Sequence, residues 1–196
     1  MNIDYNILRA YGGVAKKVAK DELIFEEGTM PRFFYQVIEG EVILFCSNTD
    51  GKELIQGLLT EGKSFGEPSL FLEKPYSNSA RAVKDSVIVI ITKDKLMNIF
   101  RDYPDMPNVL IRVFAEQVHY QSSLFKIWVN PIPEEKIVSF LEVNYPKKDV
   151  AKRIEIPLTR QQIANYTGLR VETVIRTLVR MKEENKVEII NRKLFY

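Results

Sequence analysis

The stretch LTRQQIANYTGLRVETVIRTLVRM, Leu158 to Met181, reads as two short helices joined by a tight turn. Its first helix carries a full start signal. Thr159 stands at the N-cap, Gln162 three residues on completes a capping box, and Leu158 can pack against Ile163 as a hydrophobic staple. Gly168 supplies the left-handed residue through which the chain leaves that helix, and Ala164 is small enough to let a second helix cross closely. On the second helix Val171, Val174, Leu178 and Met181 recur at helical spacing and form a core stripe, which leaves Arg170, Glu172, Thr173, Arg176 and Arg180 for other faces. A helix-turn-helix offers the first residues of its second helix to base edges, where Glu accepts from a cytosine amino group and Arg forks onto guanine. Glu172 and Arg176 lie four apart, so an ordinary surface ion pair is the alternative for an isolated helix. The capped helix and the turn before them favour DNA.

Charge agrees with this reading. The whole chain is only +2, with 28 Lys+Arg against 26 Asp+Glu, which excludes a general polyanion binder. From Thr159 to Lys193, however, basic residues outnumber acidic ones eight to four. A basic module on a slightly acidic body is the polarity expected where phosphate neutralisation supplies non-specific affinity. After the second helix, VEIINRKLFY alternates around Asn191 and Arg192 and reads as a hairpin. It is either a wing whose Arg192 and Lys193 touch the DNA backbone or a closing edge hairpin.

Working back toward the N-terminus, the glycines divide the chain. Eight of the nine fall before residue 67, and the ninth is Gly168. Between the early ones lie short runs such as FFYQVIEG, EVILFCS and ELIQGLL, with Asp50-Gly51 placed as a hairpin turn demands, and SARAVKDSVIVIIT continues the pattern. An antiparallel β-sandwich or roll follows. Cys46, the only cysteine, sits in an apolar run and reads as a core residue, so disulfides within the chain and thiolate-held clusters are excluded. One His and one Cys, with no nucleophile motif and no carboxylates at metal-ligand spacing, give an enzyme no site, and neither cofactor nor metal is expected. No stretch resembles a signal peptide or a membrane span, which points to the cytoplasm.

Asp105 to Val129 reads as one long helix with two apolar seams. Leu110, Val113, Gln117, Tyr120, Leu124 and Ile127 alternate at spacings of three and four, while Phe114, Val118, Gln121, Phe125 and Trp128 lie beside them. One seam can cover the β-roll and the other needs a partner. Homodimerisation through the first seam is the expectation, because paired helix-turn-helix units reading two half-sites require a two-fold axis. A helix sandwiched between two domains of one chain is the alternative. Asn130-Pro131-Ile132-Pro133 then breaks the helix like a hinge. The expected organisation is α+β: a β-roll over 1–104, a dimerisation helix over 105–130 and a winged helix-turn-helix over 131–196.

These parts, in this order, resemble the cyclic AMP receptor protein and fumarate-nitrate regulator (Crp/Fnr) family. The residues that carry the resemblance are IFEEGT (Ile24 to Thr29), VIEGEV (Val37 to Val42), SFGEPSLF (Ser64 to Phe71) and TRQQIANYTGLRVETVIR (Thr159 to Arg176). It implies a transcription regulator whose partners are palindromic double-stranded DNA, a second copy, RNA polymerase and a small-molecule effector. Glu172 and Arg176 are similar to the pair that reads a G·C base pair in the fumarate-nitrate branch. Thr159, Arg160, Gln161, Arg170, Thr173, Arg192 and Lys193 complete the expected DNA-facing set. Two positions depart: Ile175 replaces a small hydroxyl residue, and Arg170 stands where Ser or Thr usually caps.

In the cyclic AMP branch a Gly-Glu loop holds the ribose and an Arg-Ser pair holds the cyclic phosphate. Gly66 and Glu67 match that loop, but the alignment puts Tyr76 at the arginine position and Ser77 at the serine position. Tyrosine cannot neutralise a phosphate. Gly66, Glu67, Ser77, Arg81 and Ser123 form the expected effector site, for a ligand other than cyclic AMP; for Arg81 a structural ion pair is the competing reading. The branch's iron-sulfur cluster is not expected without its cysteines, and a lone His119 reads as surface or packing rather than haem ligation. The rival function is a regulatory module that acts on a protein partner without binding DNA.

Overall fold

A computed structural model describes residues 3–146 and 153–196. Their contacts gather into two compact units, Met1–Gln117 and Val118–Tyr196.

In the first unit, helix α1 (Tyr5–Ala10) precedes the strands β1 (Val14–Val18), β2 (Leu23–Phe25), β3 (Phe33–Glu39), β4 (Val42–Ser47), β5 (Glu53–Leu59) and β6 (Ser64–Phe65). The short helix α2 (Glu67–Leu72) then leads to β7 (Ser79–Ala82), β8 (Ser86–Thr92) and α3 (Lys93–Asp102). Two antiparallel four-stranded sheets result, ordered β1-β8-β3-β6 and β2-β7-β4-β5. The run SARAVKDSVIVIIT therefore crosses from one sheet to the other. Its second half is apolar at every step because β8 is buried on both faces. Ile88 faces the core between the sheets with Val37, Val42 and Phe65, while Val89 and Ile91 face a second core with Leu8, Leu96 and Ile99. Asp50-Gly51 turns the chain between β4 and β5: Gly51 has φ +75°, and the Asn48 side chain accepts from the Asp50 and Lys52 amides. The glycine of VIEGEV has a harder constraint. Gly40 has φ +101°, and a Cβ there would lie 2.1 Å from Ser86 Oγ. Cys46 is half-buried rather than in the core, and the Gln56 amide donates to its Sγ at 3.6 Å.

The long helix α4 (Met106–Val129) carries the main correction. The seam expected to meet a second copy is taken up by the folding of the chain itself. Leu110 is 6% exposed, Leu124 1% and Ile127 0%, and Val113, Gln117 and Tyr120 are partly buried. Leu110 and Val113 join the core under α3, and Tyr120 Oη donates to Asn144 Oδ1 at 2.9 Å. The stripe beside it is divided as well, since Phe114 packs on that core and Trp128 Nε1 donates to the Tyr166 carbonyl at 3.1 Å. Among the exposed residues of α4 are Ile111, Ala115, Val118, Ser122, Phe125 and Val129, spaced alternately four and three apart.

The second unit continues with α5 (Pro133–Asn144), β9 (Glu155–Ile156), α6 (Arg160–Thr167), α7 (Val171–Glu183), β10 (Glu188–Ile190) and β11 (Lys193–Phe195). Its interior holds Ile137, Phe140, Ile163, Ala164, Val174, Leu178 and Met181, none more than 1% exposed. Phe140 stacks on Tyr166 with ring centroids 5.0 Å apart. The strands form one antiparallel sheet, β10-β11-β9.

Candidate nucleic-acid interface and effector site

The start of α6 is built as local chemistry requires. Thr159 Oγ1 accepts from the Gln162 amide at 3.1 Å, and Gln162 Oε1 accepts from the Thr159 amide at 2.8 Å. Each side chain satisfies a donor the helix start leaves unpaired. Gly168 has φ +71° and ends the helix. Helix α7 starts at Arg170, whose side chain makes no capping bond. Omitting a hydroxyl cap there costs about 0.5–2 kcal/mol.

On α7 the four buried residues Val174, Thr177, Leu178 and Met181 share one face. Glu172, Ile175, Arg176, Val179 and Arg180 are exposed, and Thr173 is half-buried. Arg180 is tied to Glu134 at 2.8 Å, which also pairs with Lys186. Those two cations hold the Glu134 carboxyl below its usual range, Lys186 most. Among the described residues Glu172, Arg176 and Arg170 have no ion pair, so the surface pair that competed with DNA binding is not formed.

A groove of about 360 Å³ lies at the start of α6 and the β10–β11 hairpin, lined by Glu155, Ile156, Pro157, Leu158, Thr159, Arg160, Arg192 and Lys193. Arg160 is half-buried, and loss of water pushes its pKa down. Gln161 is exposed and donates to Asn165 Oδ1 at 2.9 Å. Asn191 (φ +48°) and Arg192 (φ +65°) form the tight turn of the β10–β11 hairpin, which presents Arg192 to solvent. Lys193 is pinned to Glu155 at 2.8 Å.

Inside the β-roll, Gly66 has φ +81°, and a Cβ there would meet Tyr35 Cδ2 at 3.1 Å. Glu67 is fully buried, and neither carboxylate oxygen makes a hydrogen bond of good geometry. Burial pushes its pKa up, against the pull of the nearby Ser64 hydroxyl. Tyr76 is also buried and stacks on Phe25 with centroids 3.8 Å apart, while Tyr35 stacks on Phe65 at 5.1 Å. Burial raises the Tyr76 phenol as well. Arg81, the remaining cation considered for this site, forms a bidentate pair with Glu53 at 2.8 and 2.7 Å and lies over the Phe45 ring. The Glu53 hydrogen bonds raise its pKa. Ser77 is exposed, and Ser123 belongs to the second unit, where its Oγ donates to the His119 carbonyl. The structure thus brings Gly66 and Glu67 together with Tyr76 and commits Arg81 elsewhere. Phe25, Tyr35 and Phe65 were not anticipated. Their one sequence signal is the aromatic pair Phe33 and Tyr35 at strand spacing, with Phe65 directly before Gly66.

Two family models match, a cyclic nucleotide-binding domain over residues 15–103 and a Crp-like helix-turn-helix domain over 135–195. This chain belongs to the Crp/Fnr family. Crp/Fnr proteins are DNA-binding transcription regulators, not enzymes, and this one pairs a cyclic-nucleotide-binding-type domain with a Crp-like helix-turn-helix. Its relatives include the regulatory protein HlyX of Actinobacillus pleuropneumoniae, 24% identical over 89% of this chain and 74% of that protein. The nitrogen fixation regulation protein FixK of Bradyrhizobium diazoefficiens is 24% identical over 97% of this chain and 81% of its own length. The same fold is found in the c-di-GMP-responsive regulator CLP of Xanthomonas campestris, with a TM-score of 0.80 and 18% identity over 97% of this chain and 98% of that one. Among the described residues no helix is long and apolar enough to cross a membrane.

Proposed function

We propose that this Crp/Fnr regulator acts in the cytoplasm as a homodimer on palindromic operators. The observation that carries the reading is the outer face of α7, where Glu172 and Arg176 stand exposed and unpaired one turn apart. Glu172 and Arg176 read base edges. Arg170, Arg160 and Arg192 contact phosphates, since a half-buried cation such as Arg160 regains by phosphate contact what it lost in hydration.

The pairing surface is the exposed heptad stripe of α4: Ile111, Ala115, Val118, Ser122, Phe125 and Val129. A strict alternation of fours and threes is the signature of a two-helix seam, and apolar groups such as Val129 (79% exposed) and Val118 (63%) are otherwise left in water. DNA-bound dimers of this kind offer RNA polymerase a second surface, which makes it the expected protein partner.

The β-roll responds to a small molecule other than cyclic AMP. A cyclic phosphate needs a cation, and the interior offers the Phe25–Tyr76 stack instead, with Arg81 already held by Glu53. The rival module acting on a protein without DNA gains nothing from a base-reading face left unpaired.

A selection of bound duplexes from a random library, followed by mobility shift at moderate salt, tests the reading. The expected result is a recovered inverted repeat bound by a dimer. Equal binding to all duplexes would overturn it.

A further inference from the structure

We infer that Ile175 is a specificity residue that contacts the 5-methyl group of a thymine in each half-site, beside the base pair met by Glu172 and Arg176. The inference rests on the DNA-binding reading above. Ile175 and Val179, each 47% exposed, form an apolar strip on the outer side of α7, next to Glu172 and Arg176. Packing does not account for them, because Val174, Leu178 and Met181 already fill the interior contact and are each 0% exposed. Helix propensity does not account for them either, since branched residues are poorer helix formers than Glu, Lys or Ala at exposed positions.

Position then narrows the chemistry. Ile175 lies in the second turn of α7, within the segment that approaches base edges when a recognition helix enters the major groove. The groove floor shows nitrogen and oxygen donors and acceptors at every base, and its one apolar group is the thymine methyl. An isoleucine set against any other edge would strip water from polar atoms and return no hydrogen bond. Against a methyl it removes apolar surface from water, and its branched Cβ holds it in one rotamer before binding. Val179, one turn on, extends the strip away from the helix start.

Deoxyuridine tests this directly, because it differs from thymidine only by the methyl. The palindromic duplex recovered from the library selection is remade with each thymine replaced singly by uracil. Wild type and Ile175→Ala are then measured by fluorescence anisotropy, with a scrambled duplex as control. The expected result is one position per half-site where uracil weakens wild-type binding about fourfold, the equivalent of about 0.8 kcal/mol for one buried methyl-sized group. That difference should vanish in Ile175→Ala, while binding to the scrambled duplex stays unchanged. If uracil is tolerated at every position, or costs the same in both proteins, the inference is overturned and DNA binding stands. Failure to recover any preferred duplex would overturn both.

Discussion

Tyr76 lies face to face on Phe25, with ring centroids 3.8 Å apart and planes 10° from parallel. The backbone reinforces the contact: the Tyr76 carbonyl accepts from the Gly28 amide at 2.8 Å, and the Tyr76 amide donates to the Thr29 carbonyl at 2.9 Å. If Tyr76 takes the place of the phosphate-binding arginine, as the family resemblance implies, cyclic AMP meets a buried phenol there and must compete with Glu53 for Arg81. Thermal melts with near-millimolar cyclic AMP should therefore barely move. A ligand at a hundred times its dissociation constant would add about 2.7 kcal/mol, so a saturable shift at micromolar cyclic AMP would contradict this account of the roll.

Glu67 makes stability depend on pH. Burial raises its folded pKa, so between the ordinary carboxylate range and that raised value the folded protein keeps a proton the unfolded chain releases. The sign follows: stability is fullest below the unfolded pKa and falls as pH rises, by at most about 1.4 kcal/mol per pH unit, until Glu67 itself ionises. Glu67→Gln keeps the size and removes the ionisation. Wild type and variant should differ least at about pH 4, and the variant should melt higher at about pH 8. A pH-independent difference would show that the buried carboxyl titrates normally.

The two faces of α4 should separate in mutants. Val118→Glu or Phe125→Glu places a charge in the exposed stripe and should yield folded monomers by sedimentation, with specific DNA binding greatly weakened. Leu124→Ala should instead lower stability by about 2–5 kcal/mol through a cavity in the chain's own interior. Should Phe125→Glu remain dimeric, the pairing surface lies elsewhere.

Arg176 and Arg160 should fail in different ways. Arg176→Ala is expected to cost about 1–3 kcal/mol on the selected palindrome, relax discrimination at one base pair and leave random DNA nearly unaffected. Arg160→Ala should weaken both alike and lower the logarithmic salt slope by about one per half-site contact, because a phosphate contact releases counterions without reading sequence. Anisotropy over a salt series gives both quantities. Equal losses from the two substitutions on both duplexes would make the outer face of α7 an electrostatic surface only.

The Gly168 turn before α7, the capping box and the Asp50-Gly51 hairpin were legible in the sequence because each depends on residues within four positions of one another. Thr159 meets Gln162, and Asn48 meets Lys52, whatever the rest of the chain does. The family resemblance was legible for a related reason: its motifs lie at turns and helix starts, where backbone geometry restricts the side chains allowed. Four features were decided only by the folded structure. The two seams of α4 are equally apolar on paper, and the rotation that buries Leu124 and exposes Phe125 depends on what the rest of the fold packs against the helix. The Phe25–Tyr76 stack joins residues about fifty positions apart, and Arg81 on β7 reaches Glu53 on β5 across the intervening strand β4. Glu172 and Arg176 had the spacing of an ion pair, and only the folded helix shows them apart. Local hydrogen bonding is written in neighbouring residues, whereas burial and pairing are properties of surfaces that exist only once distant segments have met.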